Sequence, residues 1–540
     1  MRRWNGWGDD TIQYPISARA IAFLRDSVGI SAPPRDATPA EILSSMAPSR
    51  LPQMAGSELV RVNEEDRLRH ARGQSLPDWV ALRSGRISTF PDGVAYPITR
   101  DDVAQLLAYA EKAGARVIPY GGGTSVVGHI NPEPGEQPVL TINMRRMNQL
   151  SRFDSVSHLA TFGAGVAGPE LEAQLRARGF TLGHFPQSFE FSTLGGWVAT
   201  RSSGQQSLGY GRIENLLAGG TLLAPAGELS MPPFPASAAG PDLRQLTLGS
   251  EGRLGILTDV TVRVTPLPEH EEFHAVFFSD FVEGMSAVRR IVQAKLPLSL
   301  LRLSTPMETR TTLALAGHER IISLLDTMLG VRGVSGDKCM LLCGFTGRPA
   351  VVRDTRHATL DITKEHGGVN VGRRFGEQWI EGRFRTPYLR NTLWELGYAV
   401  DTLETAITWD GVPRMVEQIE RALYSALPDG ERIHVFTHLS HVYPQGASVY
   451  TTYLFRLAAD PDETLSRWTA LKGAASRAIV AEGGTISHQH GVGRDHAPYL
   501  VAEKGTVGMS ALAAVASVFD PAGRMNPGVL VGQQSGGKGE

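Results

Sequence analysis

Glycine in this chain marks places where backbone must turn sharply or be approached closely. It supplies 59 of 540 residues, about 11% against roughly 7% in average usage, and no G-X-Y repeat accounts for the surplus. Many of these glycines fall between about 114 and 256. The densest run, Gly121-Gly122-Gly123-Thr124-Ser125, follows Arg116-Val117-Ile118-Pro119-Tyr120, which reads as a short strand. Three successive glycines let backbone N–H groups converge without Cβ obstruction, a nest for a pyrophosphate, and Thr124 and Ser125 add hydroxyl donors. The run lacks the Gly-Lys-Ser/Thr ending of a P-loop, which disfavours a nucleoside triphosphate. Taken by itself, such a run is equally a plain loop.

Length and composition narrow the classes. A chain of this size predicts two to four domains. Lys+Arg 53 against Asp+Glu 55 gives a net charge of −2, so no basic field argues for nucleic acid. Two cysteines exclude a disulfide framework or a Cys-rich metal site; Cys339 and Cys343, in an apolar strand-like stretch, read as core. The segment Met1 to Asp10 has no apolar core of a secretory signal, and no apolar run approaches the roughly 18 residues of a membrane span. Ser535-Gly536-Gly537-Lys538-Gly539-Glu540 reads as a solvated tail. The expectation is a cytoplasmic protein, with a peripheral membrane contact and a homodimer both left open.

The texture divides the chain into four stretches: a helical N-terminal segment (1–90), a glycine-dense part with short strands (91–268), a mixed α+β part (269–485) and a C-terminal segment (486–540). Thr99-Arg100-Asp101-Asp102 predicts a capped helix start with Asp in the usual Glu position. Pro169 sits where a helix favours proline, at its opening. Alternation places Leu300, Arg302 and Ser304 on one strand face. A second strand, Val449 to Phe455, puts Tyr450, Thr452 and Leu454 together.

Gly163-Ala164-Gly165-Val166-Ala167-Gly168 satisfies G-x-G-x-x-G between a strand and a helix, with Glu190 about 20 positions on, and alone suggests a Rossmann site. Glu190, however, lies in the polar turn Gln187-Ser188-Phe189-Glu190-Phe191-Ser192-Thr193 and not at the end of a returning parallel strand. We read the hexapeptide as a tight turn. Behind the triple glycine, two further motifs follow in order: Thr193-Leu194-Gly195-Gly196-Trp197-Val198-Ala199-Thr200-Arg201-Ser202-Ser203-Gly204 and Gly249-Ser250-Glu251-Gly252-Arg253-Leu254-Gly255-Ile256-Leu257-Thr258. Together the three resemble the FAD-binding fold of the vanillyl-alcohol oxidase family. The resemblance implies an α+β protein. A two-lobed FAD-binding domain of that type would carry an α+β cap (substrate) domain and helical N- and C-terminal segments. It assigns Pro119, Tyr120, Gly121, Gly122, Gly123, Thr124 and Ser125 to the pyrophosphate. Gln187, Ser188, Phe189, Glu190, Phe191, Ser192 and Thr193, with Thr200, Arg201, Ser202 and Ser203, go to the flavin region. Glu251, Gly252, Arg253, Leu254, Gly255, Ile256 and Leu257 would run alongside the cofactor. His129 and His184 raise covalent attachment; a noncovalent, dissociable FAD is expected.

Further segments are similar to the alkyldihydroxyacetonephosphate synthases (alkylglycerone-phosphate synthases). These are Trp4-Asn5-Gly6-Trp7-Gly8, Gly183 to Trp197, Gly446-Ala447-Ser448-Val449-Tyr450, and Gly484-Thr485-Ile486-Ser487-His488-Gln489-His490-Gly491-Val492-Gly493. That resemblance covers nearly the whole chain. It implies exchange of the acyl group of acyl-dihydroxyacetone phosphate for a long-chain alcohol, in an overall redox-neutral reaction on a flavin. It assigns Tyr450 to acid/base work, Arg302 to the active site and Arg390 to the substrate phosphate, a task that suits a guanidinium fork. The plain alternatives are a half-buried strand tyrosine and a solvent-facing helix arginine. An arginine inside an apolar strand, such as Arg302, also calls for an anionic partner. The family carries three consecutive histidines where this chain has His488-Gln489-His490, and an amide cannot titrate in place of a base. Either a flanking histidine serves, or the chemistry differs: an FAD-linked dehydrogenase or oxidase of a D-2-hydroxy acid is the alternative, and a flavin binder without turnover the third reading. No metal is expected, since His438, His441, His488 and His490 show no recognised ligand spacing. Glu404-Thr405 and Trp409-Asp410 support the alignment without an assigned chemistry.

Overall fold

The computed structural model describes residues 2–54, 58–316 and 319–531, so the Ser535–Glu540 tail lies outside the described residues. Two small sheets form the glycine-dense half. One has four strands in the order Val60–Arg61, Gly93–Ala95, Val139–Asn143, Arg116–Tyr120. Its last three strands pair in parallel. The other has five antiparallel strands, Leu150–Asp154, Leu159–Gly163, Ile256–Arg263, Leu217–Ala224 and Gly227–Met231. These are the two lobes of the expected α+β arrangement.

Local chemistry accounts for the elements between them. Thr99 accepts from the Asp102 amide and Asp102 reaches back, so the helix Arg100–Lys112 starts with a reciprocal cap. The helix Gly168–Arg176 opens with Pro169. The G-x-G-x-x-G hexapeptide is indeed a packing turn: a Cβ on Gly165 would lie 1.7 Å from the Met144 carbonyl oxygen, so glycine is required for backbone to cross backbone.

The cap is one antiparallel seven-stranded sheet. Its order is Val369–Asn370, His270–Phe278, Cys339–Gly347, Leu300–Ser304, His434–Val442, Gly446–Arg456, Tyr398–Thr408. Helices cover it with amphipathic faces. In Val412–Tyr424 the buried residues Val412, Met415, Val416, Ile419 and Leu423 fall at helical spacing. At roughly 1.5–3 kcal/mol for each fully buried large side chain, such stripes are the main force holding helix to sheet. Cys339 and Cys343 are buried core residues, as the sequence indicates.

The N-terminal Trp4-to-Gly8 motif docks on the helix Thr386–Glu395: the Trp7 amide donates to Asn391 Oδ1 at 3.2 Å and Asn391 Nδ2 returns to the Trp7 carbonyl at 2.9 Å. That docking fixes the helix bearing Arg390. Among the described residues no helix is long and apolar enough to cross a membrane.

Candidate active site

The cofactor side is built by backbone. Gly122 lies flat on the Phe191–Thr193 turn, where a Cβ would sit 1.9 Å from the Phe191 oxygen. Among the described residues, the amides of Gly121, Gly122, Gly123 and Thr124 meet no protein acceptor, which leaves four successive donors unpaired. Ser125 Oγ is held by His129 Nδ1 at 3.1 Å, and Thr193 caps the helix Leu194–Thr200. Glu251 has a left-handed backbone (φ 49°), and its buried carboxylate accepts from the amides of Val492 and Gly493. Burial pushes its pKa up to about 7 against those bonds. Residues 119–125, 191–193, 200–203, 251–252 and 491–493 thus converge. Leu254, Ile256 and Leu257 turn their side chains into the core, leaving only backbone for a ligand. Arg253 is tied to Asp520 (2.8 Å) and the Met525 carbonyl. Gln187 is exposed, and Phe189 stacks on Phe384 at 5.1 Å. His184 is buried against Trp197 with Nε2 3.2 Å from Ser202 Oγ, its pKa driven down to about 3 by burial.

The candidate catalytic side is a row across the cap sheet. Strand register sets Glu404 opposite Tyr450, Tyr450 opposite His438, and His438 opposite Ser304. Arg302, two residues from Ser304, pairs with the buried Glu308, the anion that a strand arginine calls for. Glu308 Oε2 takes His438 Nδ1 at 2.8 Å, and the His438 ring stacks on Tyr450 at 4.8 Å and 18°. On the far side, His490 meets Tyr450 edge-on at 5.7 Å. Burial, followed by neighbouring carboxylates, raises the Tyr450 pKa well beyond its ordinary value, so the hydroxyl keeps its proton.

Glu404 is fully buried and central. Its Oε1 lies 3.0 Å from His488 Nδ1 and 3.1 Å from Ser448 Oγ. A register shift between Leu439 and Val442 lets His441 and His438, three residues apart, both turn toward this carboxylate, where a regular strand would send them to opposite faces. The loop carrying His488 is not a strand, so period-two reasoning does not govern His488 and His490. Arg212, from the flavin lobe, donates to His488 Nε2 at 2.9 Å and to the His488 carbonyl at 2.8 Å. Since a guanidinium only donates, Nε2 must accept and Nδ1 must carry the hydrogen given to Glu404. Burial and then Arg212 hold this ring neutral, well below its ordinary pKa.

Glu404, His441 and His488 bring ligand atoms within 4.8 Å of one another, a separation a metal ion could use. The hydrogen-bond logic opposes it: a metal at Nδ1 with Arg212 donating at Nε2 would need a doubly deprotonated ring.

Arg390 sits across the row. Its Nη1 donates to the Gln74 carbonyl at 2.7 Å and the guanidinium lies 4.4 Å from the Trp79 ring. Among the described residues no carboxylate comes within ion-pair distance of it. Burial lowers its pKa, with Asp401 and Tyr450 opposing.

Sequence reasoning left Glu404 without a role and did not single out Glu308, Arg212 or Tyr443. One signal existed for Glu404: a carboxylate inside the long strand Tyr398–Thr408 at a position alternation buries. Arg212 had none, because its active-site partners, Tyr443 and His488, lie more than 230 residues away.

The glycine cradle with free amides, and the absence there of a lysine-ended phosphate loop, fit a dinucleotide's pyrophosphate. Residues 91–230 match the model of the FAD binding domain, and residues 267–530 that of FAD linked oxidases, C-terminal domain. The fold and site define an FAD-dependent enzyme of the FAD-linked oxidase class. An alkyldihydroxyacetonephosphate synthase of Dictyostelium discoideum is 30% identical over 473 residues, 86% of this chain and 77% of that protein. One from Trypanosoma brucei brucei is 28% identical over 98% of this chain and 92% of its own. A solved alkyldihydroxyacetonephosphate synthase structure superposes with a TM-score of 0.82 at 25% identity, covering 97% of this chain and 98% of that one. The chain belongs to the alkyldihydroxyacetonephosphate synthase family.

Proposed function

We propose that this protein exchanges the acyl group of acyl-dihydroxyacetone phosphate for a long-chain alcohol, producing an ether lipid precursor, with FAD held noncovalently. The observation that carries the reading is Arg390. A guanidinium with no ion-pair carboxylate, on the far side of the Tyr450 row, suits a phosphate ester's headgroup and fixes the reacting carbon near Tyr450. Bound FAD supplies the reversible covalent chemistry at the exchanged carbon. The chain's own residues do the rest. Tyr450, kept protonated, donates to the departing carboxylate and accepts from the incoming alcohol. The Arg302–Glu308–His438 set holds the tyrosine ring by stacking. A histidine of the 488–490 loop moves the carbon-bound proton. Noncovalent binding is supported by His129 and His184, whose hydrogen bonds go to Ser125 and Ser202.

Purified holoenzyme, given acyl-dihydroxyacetone phosphate and a fatty alcohol, is expected to release fatty acid and form the alkyl ether without net flavin reduction. Anaerobic bleaching of the flavin by a D-2-hydroxy acid, with no ether product, would overturn the reading.

A further inference from the structure

We propose that Glu404 is a positioning residue that makes His490 the proton acceptor of this site, so the pair replaces the ring absent at Gln489. The inference deepens the exchange reading and rests on it for the identity of the carbon acid.

Access separates the histidines. The His490 side chain is 17% exposed and meets the Tyr450 ring edge-on, whereas those of His488 and Glu404 are 2% and 0% exposed. Ring nitrogens separate them again. His488 uses both, one on Glu404 and one on Arg212 and Tyr443. His441 Nδ1 is engaged by Ser203 and Ser207, and His438 Nδ1 by Glu308. Among the described residues, His490 has no hydrogen-bond partner at either nitrogen.

Glu404 supplies the complement. Oε1 is occupied, while Oε2 is buried without a hydrogen-bond partner and lies 3.9 Å from His490 Nε2. Leaving a buried carboxylate oxygen unsatisfied is costly, and a small approach of the His490 Nε2–H across the 3.9 Å gap would relieve it. With the Nε2 hydrogen turned to Glu404, Nδ1 is the lone pair left for substrate. In the proton step the substrate C–H bond breaks and its electron pair stays on the substrate skeleton. The proton goes to Nδ1, and the imidazolium charge is met by Glu404, which remains a carboxylate. His490 later returns that proton to the carbon, so the ring ends neutral and nothing is oxidised.

The groups facing His490 are Glu404 and Asp401 from the strand Tyr398–Thr408, Tyr450, Lys472 from the helix Pro461–Ala481, and His488 and His496 from its own segment. Burial lowers its pKa, with Glu404 the main opposing charge.

The experiment follows the ring directly. Holoenzyme carrying 15N-histidine is titrated by NMR, with the His490 signals assigned by their loss in His490→Asn. In Glu404→Gln the His490 midpoint is expected at lower pH than in the unsubstituted protein; an unmoved midpoint overturns the pairing. In parallel, Glu404→Gln should lower kcat for ether formation roughly 100-fold, leave KM within about twofold, and move the acid limb of kcat/KM to lower pH. A loss of activity accompanied by loss of bound flavin would mark Glu404 as merely structural and overturn the proposal. Glu404→Asp, which keeps the charge, is the second variant and should regain about tenfold over Glu404→Gln. Failure of the unsubstituted enzyme to make ether counts against the exchange reading alone, because the titration still decides the pair.

Discussion

At Arg390 the relevant property is geometry as much as charge. The guanidinium already gives Nη1 to the Gln74 carbonyl and lies over Trp79, which leaves its other donors oriented as a fork. Lysine carries the same charge but cannot hold the carbonyl, stack on the ring and bind two phosphate oxygens together. Arg390→Lys is therefore expected to raise KM for the phosphate-bearing substrate about 30-fold, the equivalent of about 2 kcal/mol for charge-assisted hydrogen bonds, with kcat changed much less. Steady-state kinetics with fatty alcohol saturating would read this, and an unchanged KM would remove Arg390 from substrate binding. Arg302, by contrast, is occupied: its partner Glu308 is buried, and the pair steadies His438 beneath Tyr450. Two arginines that look alike in sequence thus have different work, because one has a buried carboxylate within reach and the other has none.

Elements fix what single residues cannot. The Gly121–Ser125 loop rests on the Phe191–Thr193 turn, and the Cβ of Gly122→Ala would be driven into the Phe191 carbonyl. Overpacking against rigid backbone costs about 1–3 kcal/mol. Since the displaced backbone carries the free amides, we expect at least about tenfold weaker FAD retention, measured as flavin absorbance after gel filtration. Full flavin occupancy in that variant would count against the loop as the pyrophosphate cradle. This part of the fold was legible in the sequence because close approach of backbone to backbone leaves a residue-type signature. Tyr450, His490 and Arg390 were singled out through family resemblance, and Tyr450 and His490 lie in ring contact. Glu404 was not, since its meaning comes from register: it faces Tyr450 across a strand pair 46 residues apart in sequence. His441 was hidden by the irregularity after Leu439, which no alternation rule anticipates. Arg212 was hidden because it reaches from one domain into another.

Across the whole molecule, buried histidines dominate the response to acid. Burial drives His70, His129 and His434 down to about 4, and His184, His441 and His496 down to about 3. Each has a folded pKa below its unfolded value near 6.5, so the unfolded chain binds more protons in between, and stability is lost as pH falls through that window. Glu251 and Asp495, raised to about 7, act oppositely, losing stability as pH rises from about 4 to 7. Six groups outweigh two. The melting temperature should fall continuously from pH 6.5 to 4.5, followed by flavin fluorescence; a flat profile would contradict the neutral, buried state of these rings. The C-terminal segment has its own global role. Met525 adds a parallel bridge to Val117, and Asn526 donates to the carbonyls of His129 and Glu251. A chain ending at Phe519 should therefore lose bound FAD while the cap keeps its secondary structure by circular dichroism. The contact between Glu251 and Asn526 spans 275 residues, which a ribosome working at 5–20 residues per second needs about 14 to 55 s to make. The lobe synthesised first thus waits, unclosed, until Asn526 has been made, and secure retention of the cofactor depends on a segment translated 275 residues after Glu251.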